Sequence, residues 1–189
     1  MGKNNQSSGQ GNSAAAAAPA LDRETLHGGL AKAGNPEECC AQLSKLFGVR
    51  SDEVALLRLE NGLLRFLFPV ELATAGSIPI SSSSAVAAHT AVSRKIELFN
   101  NFTQIKHASI FESIKPGGEP GEQLRPATIQ KLMSAPVLDK NDHALGVIQI
   151  CRKGFDLASA GPDFTLDDLQ KLEVAAKTVA QGDFMREGR

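Results

Sequence analysis

Side chains able to do chemistry are few and scattered in this chain. A cysteine nucleophile needs a lowered pKa and access to substrate, and the three cysteines are Cys39, Cys40 and Cys151. Cys39 and Cys40 fall on an amphipathic helical stretch, and Cys151 follows a run of core-type residues, so all three read as structural thiols. They are too few for a disulfide framework, and adjacent cysteines rarely bridge without strain, which fits a reducing cytoplasm. The histidines His27, His89, His107 and His143 lack the paired spacing of a zinc site. Asp139 and Asp142 flank a polar turn, where such residues shape tight backbone rather than perform acid–base work. Ser81 to Ser84 precede a helical pattern, and capping explains them better than anion binding. The segment PGGEPG, residues 116–121, has no following Lys-Ser or Lys-Thr, so it is a flexible connection or lid and not a phosphate loop.

The elements that must position these residues follow from pattern and punctuation. Residues 1–20 are mostly Gly, Ser, Asn, Gln and Ala with almost no large apolar side chain, and residues 1–34 as a whole read as a disordered or weakly ordered tail, in which Gly28 and Gly29 interrupt a short helix. From Asn35, Pro36 in the first turn, acidic Glu37 and Glu38 and a stop at Gly48 predict a helix burying Cys39, Leu43, Leu46 and Phe47. Asn61–Gly62 between two apolar runs predicts a hairpin of strands 53–60 and 63–70. A short strand at 77–80, a serine-capped helix ending near Arg94 and a strand at 96–101 follow. A short helix around 109–114 gives way to the Gly/Pro-rich loop. The segments KLMSAPVLD and ALGVIQICRK, joined by KNDH, predict a second hairpin, and FTLDDLQKLEVAAKTVA a final helix capped by Thr165. Its apolar stripe is Leu166, Leu169, Leu172, Ala176 and Val179. Strands adjacent in sequence predict an antiparallel sheet in an α+β layer fold.

Composition narrows the function classes. With 20 basic and 21 acidic residues and a formal net charge of -1, the chain projects no field that would gather nucleic acid or an acidic membrane. No apolar run approaches the ~18 to 20 residues of a membrane span. Small-molecule and protein partners remain.

The order of these features resembles the GAF domain family over Pro36 to Gln181: the ENG hairpin, the SSSSAVAAHTAVSRK helix, then SAPVLDKNDHALGVIQICRKG followed by FTLDDLQKLEVAAKTVAQ. The resemblance implies a single domain at 35–183 with a flexible 184–189. Its sheet has about six strands, with the terminal helices on one face and a ligand-pocket helix and loop on the other. In the phosphodiesterase subgroup an Asn-Lys pair ends the last strand and a Phe with Asp-Glu opens the last helix. Lys153, Phe164 and Asp168 match, whereas Arg152 and Leu169 depart, and the expected use of Lys153 and Asp168 is a structural ion pair.

The resemblance assigns the pocket to Ile96–Met133 with inward residues of the hairpins. The ligand-binding candidates are Phe99, Asn101, His107, Phe111, Ser113, Arg125, Met133 and Ser134, since pockets combine apolar walls with a few converging polar groups. The implied function is a non-enzymatic sensor of a small molecule, cyclic nucleotides among the family's ligands. It would signal as a homodimer or through a separate signalling partner protein, with no cofactor specified. Two alternatives stand beside it: an interaction module with a filled pocket, and an enzyme like the free methionine sulfoxide reductases. Against the second, the placement of the cysteines does not match that branch's pocket cluster.

Overall fold

The computed structural model describes residues 28–104 and 128–186. The elements, in chain order, are α1 (Pro36–Phe47), β1 (Val54–Glu60), β2 (Leu63–Phe68), β3 (Ser77–Pro79), α2 (Val86–Ser93), β4 (Glu97–Phe99), β5 (Thr128–Leu138), β6 (Ala144–Gly154) and α3 (Leu166–Val179). The strands form one six-stranded sheet in the order β3-β2-β1-β6-β5-β4, and every neighbouring pair is antiparallel. The α+β expectation holds.

Local signals set the ends of most elements. Asn35 caps α1, its side chain accepting the Glu38 N–H at 2.8 Å, and Gly48 ends it in the left-handed region at φ 58°, where glycine carries no Cβ penalty. Asn61 and Gly62 both have positive φ, 50° and 77°, the turn whose twist matches a two-residue hairpin. In the second hairpin Asp139 Oδ1 accepts the N–H groups of Asn141 and His143, and Asp142 takes the left-handed conformation at φ 60°. Thr165 and Asp168 form a reciprocal capping box at the start of α3.

Other expectations are corrected. Gly28 and Gly29 lie within a helical turn rather than breaking one. No serine caps α2: its N-cap is Ala85, without a side-chain bond, and Ser82 and Ser84 instead share a contact of 3.3 Å. Leu166 is 73% exposed; at 100° per residue it lies well off the line through Leu172, Ala176 and Val179, and Ala175 takes its place. Leu30, Phe184 and Met185 are also buried in the core. The short helix expected around 109–114 lies outside the described residues.

The sheet separates two cores. One face packs against α1 and α3 through Leu43, Leu56, Met133, Ile148, Ile150 and Leu172. The other packs against α2 through Leu57, Leu64, Ala88, Ala91, Leu132 and Val147. The register of β5 shifts between Ile129 and Lys131. That bulge puts Ile129 on the α2 side with Leu132, while Lys131 reaches Gly161 and Asp163 on the approach to α3. Among the described residues, no helix is long and apolar enough to cross a membrane.

Candidate functional site

On the α2 face the sheet carries a row of polar residues where its pleat would otherwise present carbon. Glu97 of β4 pairs with Ser134 of β5, and Ser134 with Gln149 of β6. Directly opposed residues share a face, so the three side chains line up beneath α2. Thr90, fully buried on α2, drops onto the row: its Oγ1 donates to Glu97 Oε2 at 2.8 Å and meets Ser134 Oγ at 2.7 Å. Gln149 Nε2 donates to Ser134 Oγ at 3.4 Å, and His89 Nδ1 lies 2.9 Å from Glu97 Oε1.

A count of protons orders the row. Thr90 has a single hydroxyl proton and gives it to the carboxylate, so in its contact with Ser134 the serine must donate. Ser134 Oγ is then an acceptor, which suits the amide of Gln149. The donors run from Gln149 through Ser134 and Thr90 to Glu97, and the His89 ring donates to the other oxygen. Buried Thr90 and Ser134 are satisfied, and the row ends at a half-buried carboxylate and an exposed imidazole, 19% and 62% accessible.

Two residues along β6 from Gln149, Cys151 looks onto the same face, in register with Leu132 and Phe99. Burial pushes its thiol well up, outweighing the opposing pull of Lys153. Two further on, the Lys153 ammonium sits 3.6 Å from Asp52 Oδ2. Buried Glu53 accepts the backbone N–H groups of Lys153 and Arg50, tying the start of β1 to the end of β6. The expected Lys153–Asp168 pair is absent: Asp168 serves the Thr165 cap and Lys171. Arg152, where the subgroup has Asn, stacks 4.8 Å above the Phe164 ring. An asparagine does clip Phe164, but from elsewhere: Asn100 Nδ2 donates to the Phe164 carbonyl and its Oδ1 accepts the Phe164 N–H, at 3.0 and 2.9 Å.

Of the ligand-binding candidates, Ser134 stands in the polar row. Phe99 packs on the α2 side, edge-on to Phe102 with ring centroids 6.1 Å apart. Asn101 accepts from Thr103 locally. Met133 lies in the core beneath α1 and α3, because neighbours on a strand point to opposite faces and Ser134 faces α2. His107, Phe111, Ser113 and Arg125 lie outside the described residues. Thr90, Glu97 and Gln149 were missed, although a Gln inside ALGVIQIC and a Ser inside LMSAPV are the interruptions that period-2 reading could have paired. Two clefts of about 650 and 570 Å³ open elsewhere, along the β5–β6 turn and the C-terminal half of α3, sharing Leu138, Asp139 and Lys177. Among the described residues, no cluster of three His, Cys, Asp or Glu side chains could hold a metal ion.

The family model of the GAF domain matches residues 37–182. The chain belongs to the GAF domain family. No curated protein matches it. Among solved structures this GAF domain is similar to that of an Acinetobacter phosphoenolpyruvate-protein phosphotransferase, with a TM-score of 0.60, 13% identity, and 88% of this chain and 92% of that one covered. It is also similar to the GAF domain of the corresponding Coxiella burnetii protein, at 0.58 and 10%, covering 84% and 88%. A type II free methionine-R-sulfoxide reductase from Thermoplasma acidophilum follows at 0.53 and 14%, covering 87% and 95%. At these identities the likeness concerns the fold alone.

Proposed function

We propose that this GAF domain is a non-enzymatic sensory or regulatory module that binds a small molecule on the α2 face of its sheet. The observation that carries the reading is the row Glu97–Ser134–Gln149 with Thr90 above it. Polar groups cost free energy in a core unless bonded, and this face holds them where the opposite face holds Met133 and Ile150. Ligand binding would be transmitted by α2, whose position on the sheet Thr90 sets. The transmitted effect is bounded by the ligand's preference between two placements of that helix.

Two features favour a binding role over catalysis. Cys151 is held as a protonated thiol by burial, whereas a nucleophilic cysteine needs the thiolate. Cys39 and Cys40 lie across the sheet from it, on α1, so no second thiol of the chain can resolve it. The free thiols suit a reducing compartment. Output would pass through a homodimer or a separate protein; Leu166 and Val174, exposed on α3, offer apolar contact for it.

A thermal-shift screen of the full chain against cyclic nucleotides and common metabolites tests the reading. At least one compound should raise Tm, and Thr90→Val should abolish or shrink that rise. Failure of every compound, with a crystal structure showing side chains filling the space beneath α2, would leave the interaction module. Thiol-dependent turnover of free methionine sulfoxide that Cys151→Ser eliminates would reinstate the enzyme. Light scattering of wild type and Leu166→Ser reads the oligomer: a dimer that the substitution dissociates supports the α3 contact.

A further inference from the structure

We infer that the ligand of the α2-face site carries an ammonium or amidine group, and that Glu97 receives it. This rests on the small-molecule reading above and adds the ligand's chemical class. The hydroxyl protons of the row are all spent within it: Ser134 gives its proton to Thr90, and Thr90 gives its own to Glu97. What the row presents at its accessible end is an acceptor. A carboxylate has about four lone-pair sites, and among the described residues Glu97 fills one on each oxygen, from Thr90 and from the His89 ring. Its side chain keeps 19% of its surface, so the remaining sites can be reached, while Thr90 and Ser134 behind it are fully buried.

Charge selects the same class. Among the described residues of this face, the other ionised cluster balances itself, Arg50 and Lys153 against Asp52 and Glu53. Among the described residues Glu97 has no lysine or arginine partner; its ion-pair contact is the His89 ring. A phosphate or carboxylate placed beside Glu97 would meet a like charge in a partly desolvated setting, which penalises binding, whereas a cation gains a charge-assisted hydrogen bond. At ~4.8 Å per strand, the row from Glu97 to Gln149 spans roughly 10 Å. Gln149 at its far end is buried and bonded to Ser134 beneath Thr90, so the ligand meets the row at the Glu97 end.

The test uses the full chain, with fluorimetry and titration calorimetry against putrescine, agmatine and glycinamide. Cyclic AMP, cyclic GMP and inorganic phosphate are the anionic set, and 1,4-butanediol is the uncharged match to putrescine. At least one amine should raise Tm and bind at least about tenfold more tightly than every anion and than butanediol, and Glu97→Gln should lose that tenfold. The butanediol comparison needs no variant, so it stands even if Glu97→Gln fails to fold. Tighter binding of an anion, equal binding of butanediol, or amine binding unchanged by Glu97→Gln overturns the ligand class and leaves the small-molecule reading intact. No shift from these probes or from the wider metabolite screen overturns both.

Discussion

The two faces of this sheet are built from the same six strands and do different things. Beneath α1 and α3 the middle is carbon and sulfur, from Leu43, Leu56, Met133, Ile148, Ile150 and Leu172, and polar groups appear as cations at the rim. Each reaches a main-chain carbonyl of a covering segment: Arg58 to Phe184, Arg152 to Phe47 and Lys131 to Gly161. Phe47 is the last residue of α1, so Arg152 meets the negative end of that helix. Beneath α2 the polar groups sit inside, as a hydroxyl, amide and carboxylate row. The first arrangement stabilises without specifying anything beyond shape. The second holds α2 by a few directional bonds, each of which a substitution can alter, and that difference is the ground on which the binding site is proposed on the α2 side.

The comparison can be broken most severely from the helix-covered side. At Gly146 an added Cβ would run into the Leu57 carbonyl and the Met185 side chain. Gly146→Val should therefore cost roughly 4 kcal/mol or more, read as loss of the cooperative urea transition. Next, Leu172→Ala removes a fully buried side chain of α3 and should cost about 2 to 5 kcal/mol, with ligand responses at the α2 face retained in the folded fraction.

Thr90→Val reverses the pattern. It keeps shape but leaves Ser134 and Glu97 each short of a partner, so a loss of about 1 to 3 kcal/mol is expected. A double-mutant cycle with Ser134→Ala should show coupling of roughly 0.5 to 3 kcal/mol; additive effects would mean the row is not a unit. The capping box of α3 gives a smaller, pH-dependent effect. Thr165→Ala should cost about 1 kcal/mol at pH 7. For Asp168, burial acts to raise the carboxyl pKa, but the Thr165 N–H, the Thr165 hydroxyl and Lys171 together hold it below its usual range. A depressed folded-state pKa contributes stability above the unfolded value of about 3.9 and loses it as pH falls through the folded value. The stability gap between wild type and Asp168→Asn should thus be full at pH 7 and shrink below about pH 4. Smallest of all, Val174→Ser on the outer side of α3 should change monomer stability by less than about 0.5 kcal/mol.

Much of the scaffold was legible because its signals act over a few residues. Asn35 and Gly48, the Asn61–Gly62 turn, the Asp139 turn and the Thr165 cap all name their partners within five positions. The site was legible only in part. Ser134 was singled out as a polar residue in an apolar run, but its neighbour Met133 was grouped with it, and alternation along the strand separates the two. His89 is an exposed residue of α2, and its link to Glu97 comes from the way α2 turns at Arg94 into β4. The Lys153–Asp168 pairing failed because each residue found a closer bond: Asp168 within its own cap, Lys153 beside Asp52 and Glu53, a hundred positions away in sequence.

The sequence by itself determined which segments are helix or strand, where the hairpins turn, and the family to which their order belongs, since caps, turns and periodicity are written in neighbouring residues. Tertiary structure alone decided which face each polar side chain looks onto and with whom it bonds. One bulge at Ile129–Lys131 reverses the parity of β5, and the partners of Glu97, Ser134 and Gln149 lie on three strands and a helix that meet only when the sheet is assembled.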